Sequence, residues 1–168
     1  MNEGSKLEEI VNAVEPLVVG RMMLDVGTGF GTVMSRLLKH PEYEVVTVDP
    51  EAWVFDKAEK EYADDVSSGR LRLVRADAED LPFRSRTFDT SLAVCSLHHL
   101  QDPLKGLLEM ERVTSGRVIV CDWDTGSSGF HNPHSPEHLG RNKKAILSHA
   151  GMNGYQIQEN GTWFMAYR

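Results

Sequence analysis

The stretch Asp25-Val26-Gly27-Thr28-Gly29-Phe30-Gly31 decides how this chain folds. It follows the short apolar run Met22–Val26 and precedes Val33, Met34, Leu37 and Leu38, which recur at helical spacing. A strand, a glycine-rich turn and a helix are therefore expected in succession. Glycine suits such a turn because the backbone must reverse sharply and admit a ligand without a Cβ in the way. The following helix offers free N–H groups and a partial positive charge to an anion. The spacing is G-x-G-x-G, and Thr32 stands where a dinucleotide fingerprint has its third glycine. A small anion such as an amino-acid carboxylate fits this turn better than a pyrophosphate. Glycines also serve bare strand-to-helix turns, so the trio alone leaves both roles open.

The same alternation continues outward. Val45–Val48, Leu71–Val74, Leu92–Cys95 and Val118–Cys121 are short and rich in Val and Leu, and runs of that length that are apolar on both faces suit the buried strands of a parallel sheet. Helical patterns separate them: Leu7, Ile10, Val11 and Val14, closed by Pro16; Phe55, Ala58 and Tyr62; Leu104, Leu107, Leu108 and Val113. Ser135-Pro136-Glu137 predicts a helix start, and Gly151 its end after Ala150. The last segment differs. Tyr155–Glu159 and Thr162–Tyr167 flank Asn160-Gly161, a strong hairpin signal. Five parallel strands finished by an antiparallel hairpin are expected.

Composition narrows the class. Of 168 residues, 40% are apolar and 26% charged, too apolar for a disordered chain and ordinary for one globular domain. No run is long and apolar enough to span a bilayer, and the start of the chain lacks a secretory signal pattern. Two cysteines, Cys95 and Cys121, cannot build a disulfide framework, so a cytoplasmic location is expected. Lys plus Arg numbers 18 against 25 for Asp plus Glu, a net charge of -7. That balance disfavours a protein whose main business is gripping nucleic-acid phosphates.

Two acidic residues join the glycine turn. Asp49 ends the second strand, where a carboxylate can accept hydrogen bonds from both hydroxyls of a ribose, or cap a helix begun at Pro50-Glu51. Asp77 ends the third strand, where its side chain or the Ala78 backbone can meet an adenine amino group. Open α/β sheets bind ligands at that carboxyl edge. With DVGTGFG, VTVDP, the run ADAEDLPFRSRTFDTSLAVCSLHHL from Ala76 to Leu100, Asp102-Pro103, Leu108-Glu109 and Arg112-Val113, the chain resembles the class I S-adenosylmethionine-dependent methyltransferases. The nearest subgroup is the type 11 group that includes the ubiquinone and menaquinone biosynthesis methyltransferases.

The resemblance covers roughly 22–122 and implies an α/β, Rossmann-like doubly wound, seven-stranded, mostly parallel sheet with an antiparallel C-terminal hairpin. It implies one minimal domain over 1–168, with 1–20 as an N-terminal helical cover. By it, S-adenosylmethionine is the cofactor. Asp25, Gly27 and Gly29 hold its methionine portion, Asp49 its ribose, Asp77 and Ala78 its adenine, Cys95 lies beside the sulfonium, and Thr28 and Pro50 are further cofactor-binding residues. The family's Lys-Pro-Gly-Gly turn before strand five is replaced here by a shorter Thr114-Ser115-Gly116 turn.

Methyl transfer is an in-line displacement in which the cofactor carries its own leaving group. A base is needed only for a protonated, weakly acidic nucleophile. His98 and His99 could serve, or could pack and cap. The acceptor is unidentified: neither an Asn/Asp-Pro-Pro-Tyr nor a Pro-Cys sequence follows strand four. Sparse cover over the edge suits a large substrate, a homo-oligomer whose neighbour completes the pocket, or a lid formed by 122–134. That loop holds His131 and His134, followed by His138, spaced H-x2-H-x3-H. With Cys95 and Cys121 these could bind zinc or a metalloid, or be solvated surface histidines and buried core thiols. Trp123 could stack on a substrate or plug the core. A non-catalytic scaffold that keeps the cofactor fold is the alternative of another class.

Overall fold

The computed structural model describes residues 3–129 and 133–168. Seven strands form one sheet: β1 Met22–Val26, β2 Glu44–Asp49, β3 Leu71–Arg75, β4 Phe88–Val94, β5 Thr114–Trp123, β6 Gln156–Glu159 and β7 Trp163–Tyr167. Their order is β3-β2-β1-β4-β5-β7-β6. Pairing is parallel from β3 through β5. β7 then runs antiparallel to both β5 and β6. The expected fold class is what the chain adopts. Six α-helices accompany the sheet: α1 Glu3–Val14, α2 Thr32–Leu37, α3 Phe55–Glu61, α4 Ala63–Ser67, α5 Pro103–Val113 and α6 Pro136–Met152.

Parallel strands must be covered on both sides, and two buried clusters do this. On one side Ile10, Val11 and Val14 of α1 and Val33, Met34 and Leu37 of α2 pack on Met23, Val45, Leu92 and Ile119. On the other, Leu107, Met110 and Val113 of α5 and Ile146 and Ala150 of α6 meet Leu24, Val46, Ala93, Val120 and Phe164. Helix α1 is thus a layer against the sheet face, tied to β7 where Trp163 Nε1 donates to Glu9 Oε1 at 3.1 Å. Trp123 is buried in the first cluster and plugs the core. No helix of the described residues is long and apolar enough to cross a membrane.

Three local expectations need correction. Helix α6 continues past Gly151 to Met152; the stop is Gly154 at φ +75°, with the Tyr155 N–H returning to the Ala150 carbonyl. Thr114-Ser115-Gly116 is no turn, because β5 begins at Thr114 directly after α5. Its pairing steps from Phe88↔Thr114 to Thr90↔Arg117, so a bulge absorbs the extra residue. The hairpin is shifted by one residue. Asn160 pairs with Trp163, leaving Gly161 (φ +84°) and Thr162 as the central residues, and Asn160 Oδ1 accepts the N–H groups of both Thr162 and Trp163.

Candidate functional site

The carboxyl ends of the parallel strands are stitched into one edge. Gly27 and Thr28 N–H donate to the Val48 carbonyl at 2.9 and 3.1 Å, so the glycine turn folds over the end of β2. Asp49 reaches back, its Oδ2 accepting the Gly29 N–H at 3.1 Å and its Oδ1 the Glu51 N–H at 3.0 Å. The Ala76 N–H donates to the Asp49 carbonyl at 3.2 Å, which brings the segment after β3 alongside. Across β1, Ser96 Oγ donates to the Val26 carbonyl at 2.7 Å. Cys95 N–H donates to the Cys121 carbonyl at 2.8 Å, joining β4 to β5. The structure therefore brings Gly27, Thr28, Gly29, Asp49 and Pro50 together. It places Ala78 and Cys95 on the flanks of the same edge, Cys95 in a left-handed conformation at φ +53°.

Individual groups differ in state. Asp25 is buried in the middle of this edge, and Thr47 Oγ1 donates to its Oδ2 at 2.9 Å. Thr28 Oγ1 meets Thr47 Oγ1 at 2.7 Å, completing a short polar chain. Asp25 Oδ1 has no hydrogen-bond partner among the described residues. Burial, opposed by the Thr47 hydroxyl and reinforced by the Asp49 charge, pushes the Asp25 carboxyl up to about 7. Asp77 is exposed and closes its own turn, Oδ1 accepting the Glu79 N–H at 2.8 Å, while Ala78 beside it is buried. Burial pushes both thiols well up, with the Asp122 charge adding to it, so neither cysteine is a thiolate at neutral pH.

The histidines after β4 lie in a 3₁₀ turn, Leu97–His99. His98 is buried, and the Asp122 carboxylate at the end of β5 grips it twice. His98 N–H meets Asp122 Oδ2 at 2.9 Å and His98 Nδ1 meets Oδ1 at 2.6 Å. Trp123 N–H and Asn142 Nδ2 also donate to Asp122, at 2.8 and 3.3 Å. His134 and His138 fold against this turn: His138 Nε2 meets the His98 carbonyl at 2.6 Å, and the His134 and His138 rings stack at 4.6 Å. The His99 side chain is exposed but partly shielded from water, which pushes it down to about 4, with His98 and His134 adding to it; partial desolvation likewise lowers His134. His131 lies outside the described residues. Among those described, the group with metal-binding geometry is His98, His99 and His134, and neither cysteine belongs to it.

Two features escaped the sequence. A cavity of about 640 Å³ opens on the α2 and α3 side of the glycine turn, lined among others by Phe30, Met34, Trp53, Ala58 and Tyr62. It shares Thr28 and Gly29 with the edge but not Asp25, Asp49, Asp77 or Cys95. Phe30 and Trp53, 87% and 61% exposed, were the available signal: large aromatics beside a glycine turn, outside any apolar stripe. The second feature is a clamp. Arg112 donates to the carbonyls of Leu81 and Phe83 at 2.8 and 2.7 Å, and Glu109 accepts the Leu81 N–H at 2.9 Å. Those two residues of the Glu-x-x-Arg pattern pin the loop that follows Asp77.

A family model described as a methyltransferase domain matches residues 24–120, which span the strands that build this edge. The chain belongs to the type 11 methyltransferase family. S-adenosylmethionine is the cofactor that this methyltransferase family implies. Over 115 residues the chain is 34% identical to a demethylmenaquinone methyltransferase of Clavibacter sepedonicus, covering 67% of this chain and 45% of that protein. It is 30% identical over 126 residues to the chloroplastic 2-methyl-6-phytyl-1,4-hydroquinone methyltransferase 1 of Oryza sativa subsp. japonica, covering 72% and 37%. The chain thus spans less than half the length of these curated methyltransferases. The crystal structure of a SAM-dependent methyltransferase from Aquifex aeolicus superposes with a TM-score of 0.70 at 20% identity, over 99% of this chain and 97% of that one. That likeness extends the methyltransferase fold beyond the matched segment to the hairpin.

The residues present fit the cofactor. Asp25 Oδ1 is a buried acceptor without a donor, and the ammonium group of an amino-acid moiety would supply one. Gly29 stands at φ +47° with nothing within 4 Å of where a Cβ would sit, so its side of the turn is open to a ligand.

Proposed function

We propose that this chain binds S-adenosylmethionine along the edge formed by Asp25, Gly27–Gly29, Asp49–Pro50 and Asp77–Ala78 and catalyses methyl transfer to an acceptor held over β4 and β5. The observation that carries the proposal is the direct bond between Asp49 and Gly29, which puts the ribose-type carboxylate and the glycine turn in one site. When bound, the cofactor supplies an electrophilic methyl group and a neutral thioether leaving group. The chain's own residues align it. Asp25 accepts a cationic amine, and Asp49 Oδ2 exchanges the Gly29 N–H for a ribose hydroxyl or shares itself between them. Ser96, bonded to the Val26 carbonyl, keeps the start of the post-β4 turn against β1. Alignment of this kind supplies the main part of the rate in a displacement whose reactants are already activated.

The acceptor class is taken from the relatives. Two of them are named for demethylmenaquinone and for a methylated phytyl hydroquinone, so prenylated hydroquinones are the acceptors to offer first. The test is calorimetry with S-adenosylmethionine, followed by transfer of a labelled methyl group to a hydroquinone panel. Asp49→Ala should weaken cofactor affinity by about 1.5–3 kcal/mol, as for hydrogen bonds to a charged acceptor. A wild-type chain that ignores the cofactor, or an Asp49→Ala chain that binds it unchanged, would overturn the assignment.

A further inference from the structure

We infer that His98, His99 and His134 form a three-imidazole site for a divalent transition metal, with Zn²⁺ the natural occupant. One ring nitrogen from each of the three lies within 4.8 Å of the others, and the ring centroids are 4.0 Å apart for His98–His99, 5.1 Å for His98–His134 and 5.2 Å for His99–His134. Tetrahedral zinc with bonds of about 2.0–2.1 Å needs ligand nitrogens roughly 3.4 Å apart, so the three nitrogens would draw together by up to about 1.4 Å on binding. Borderline-soft imidazole ligands select Zn²⁺, Co²⁺ or Ni²⁺ over Mg²⁺ and Ca²⁺.

The surroundings are those of a built site. Asp122 is fully buried and its carboxylate holds His98 Nδ1 at 2.6 Å, so a metal would be met by His98 Nε2. A carboxylate on the far nitrogen fixes the ring and raises its basicity toward a metal. Asp122 is itself held by three donors: the N–H groups of His98 and Trp123, and Asn142. His138, stacked on His134 and bonded to the His98 carbonyl, braces the other side. His99 is exposed, which gives an entry path and leaves the fourth position to water or an oxygen ligand. The turn bearing His98 and His99 starts right after Ser96, bonded to the Val26 carbonyl, so this open position borders the edge where the acceptor is proposed to sit.

Metal binding is read without the cofactor, so its outcome does not depend on where S-adenosylmethionine sits. The full chain, free of any histidine tag and stripped with a chelator, is titrated with Zn²⁺ by calorimetry and with Co²⁺ by visible absorption. One equivalent should bind, with the intense d–d bands of a four-coordinate site. His99→Ala and His134→Ala should each weaken binding at least about tenfold with the metal-free melting temperature retained, whereas His40→Ala and His149→Ala should bind as the parent does. In the unaltered chain, Co²⁺ should broaden the imidazole NMR signals of His99 and His134 before those of His40 and His149, which gives an answer even if a variant folds poorly. Absence of stoichiometric binding, equal affinity in His99→Ala and His134→Ala, or broadening at His40 and His149 first would overturn it.

Discussion

Burial raises the Asp25 carboxyl and the nearby Asp49 charge adds to it, while the two aspartates stand in different surroundings. Asp49 is partly exposed and its two oxygens each accept a backbone N–H; Asp25 is 1% exposed with one oxygen lacking a partner. The sign of the resulting pH dependence is fixed. The Asp25 carboxyl titrates near 4 when unfolded and at about 7 when folded. Between those values the native state holds more protons than the unfolded one, so stability falls as pH rises from about 4 to about 7. The loss is on the order of a few kcal/mol at most. Urea unfolding at pH 5 and pH 8 should show it, and Asp25→Asn, which cannot ionise, should lack that share of the slope. A cationic amine set against Oδ1 favours the ionised carboxyl, so S-adenosylmethionine should bind more tightly as pH rises through about 7, and the trend should flatten in Asp25→Asn. A pH-independent affinity in the parent chain would place the ammonium elsewhere. Legibility at this scale was uneven. That Asp25 and Asp49 close β1 and β2 can be read from the sequence, but that Asp122 grips His98 cannot, since His98 lies in the turn after β4 and Asp122 on β5, and only the β4–β5 pairing brings them together.

Among the elements, the strand-to-helix turn after β1 shows why two glycines in one motif are not equivalent. A Cβ on Gly27 would lie 2.4 Å from Ser96 Cβ, at φ +93°, whereas one on Gly29 would meet nothing within 4 Å, at φ +47°. Gly27→Ala therefore combines left-handed strain with an overlap against the post-β4 turn and should cost about 2–4 kcal/mol. Gly29→Ala carries the backbone strain alone, about 1 kcal/mol. Chemical denaturation of the two variants checks the order, and equal losses would mean that Ser96 does not press on the turn. Apolar runs located all five parallel strands: burial on both faces leaves that signal in β1, β2, β4 and β5, and the edge strand β3 keeps it through Leu71, Leu73 and Val74 although Arg72 and Arg75 are exposed. Ends were harder. The Asn160-Gly161 signal gave the hairpin but not its register, since Asn160 acts through its side chain on Thr162 and Trp163 and Gly161 alone takes the left-handed central position. Helix α6 overran Gly151 because a glycine in helical conformation costs only about 1 kcal/mol, and the left-handed stop falls at Gly154 instead.

For the molecule as a whole, the sheet separates two regions that a ligand should affect differently. The parallel strands end together at the carboxyl edge, while β6 is an outer strand whose residues are all exposed and which pairs only with β7. Strand β6 should exchange its amide hydrogens by local fraying, independent of events at the far edge. Cofactor at about a hundred times its Kd adds roughly 2.7 kcal/mol to the stability of whatever must open to release it. Amides of Gly27–Gly31, Asp49–Glu51 and Ala76–Ala78 should then exchange about a hundredfold more slowly, with those of Gln156–Glu159 little changed. The experiment also arbitrates between the edge and the cavity of about 640 Å³ on the α2 and α3 side, because only the Thr28–Gly29 segment is common to both. Slowing confined to that segment and to Trp53–Tyr62, with Asp49 and Ala78 unaffected, would move the ligand to the Phe30–Trp53 side and leave the carboxyl edge as a purely structural seam.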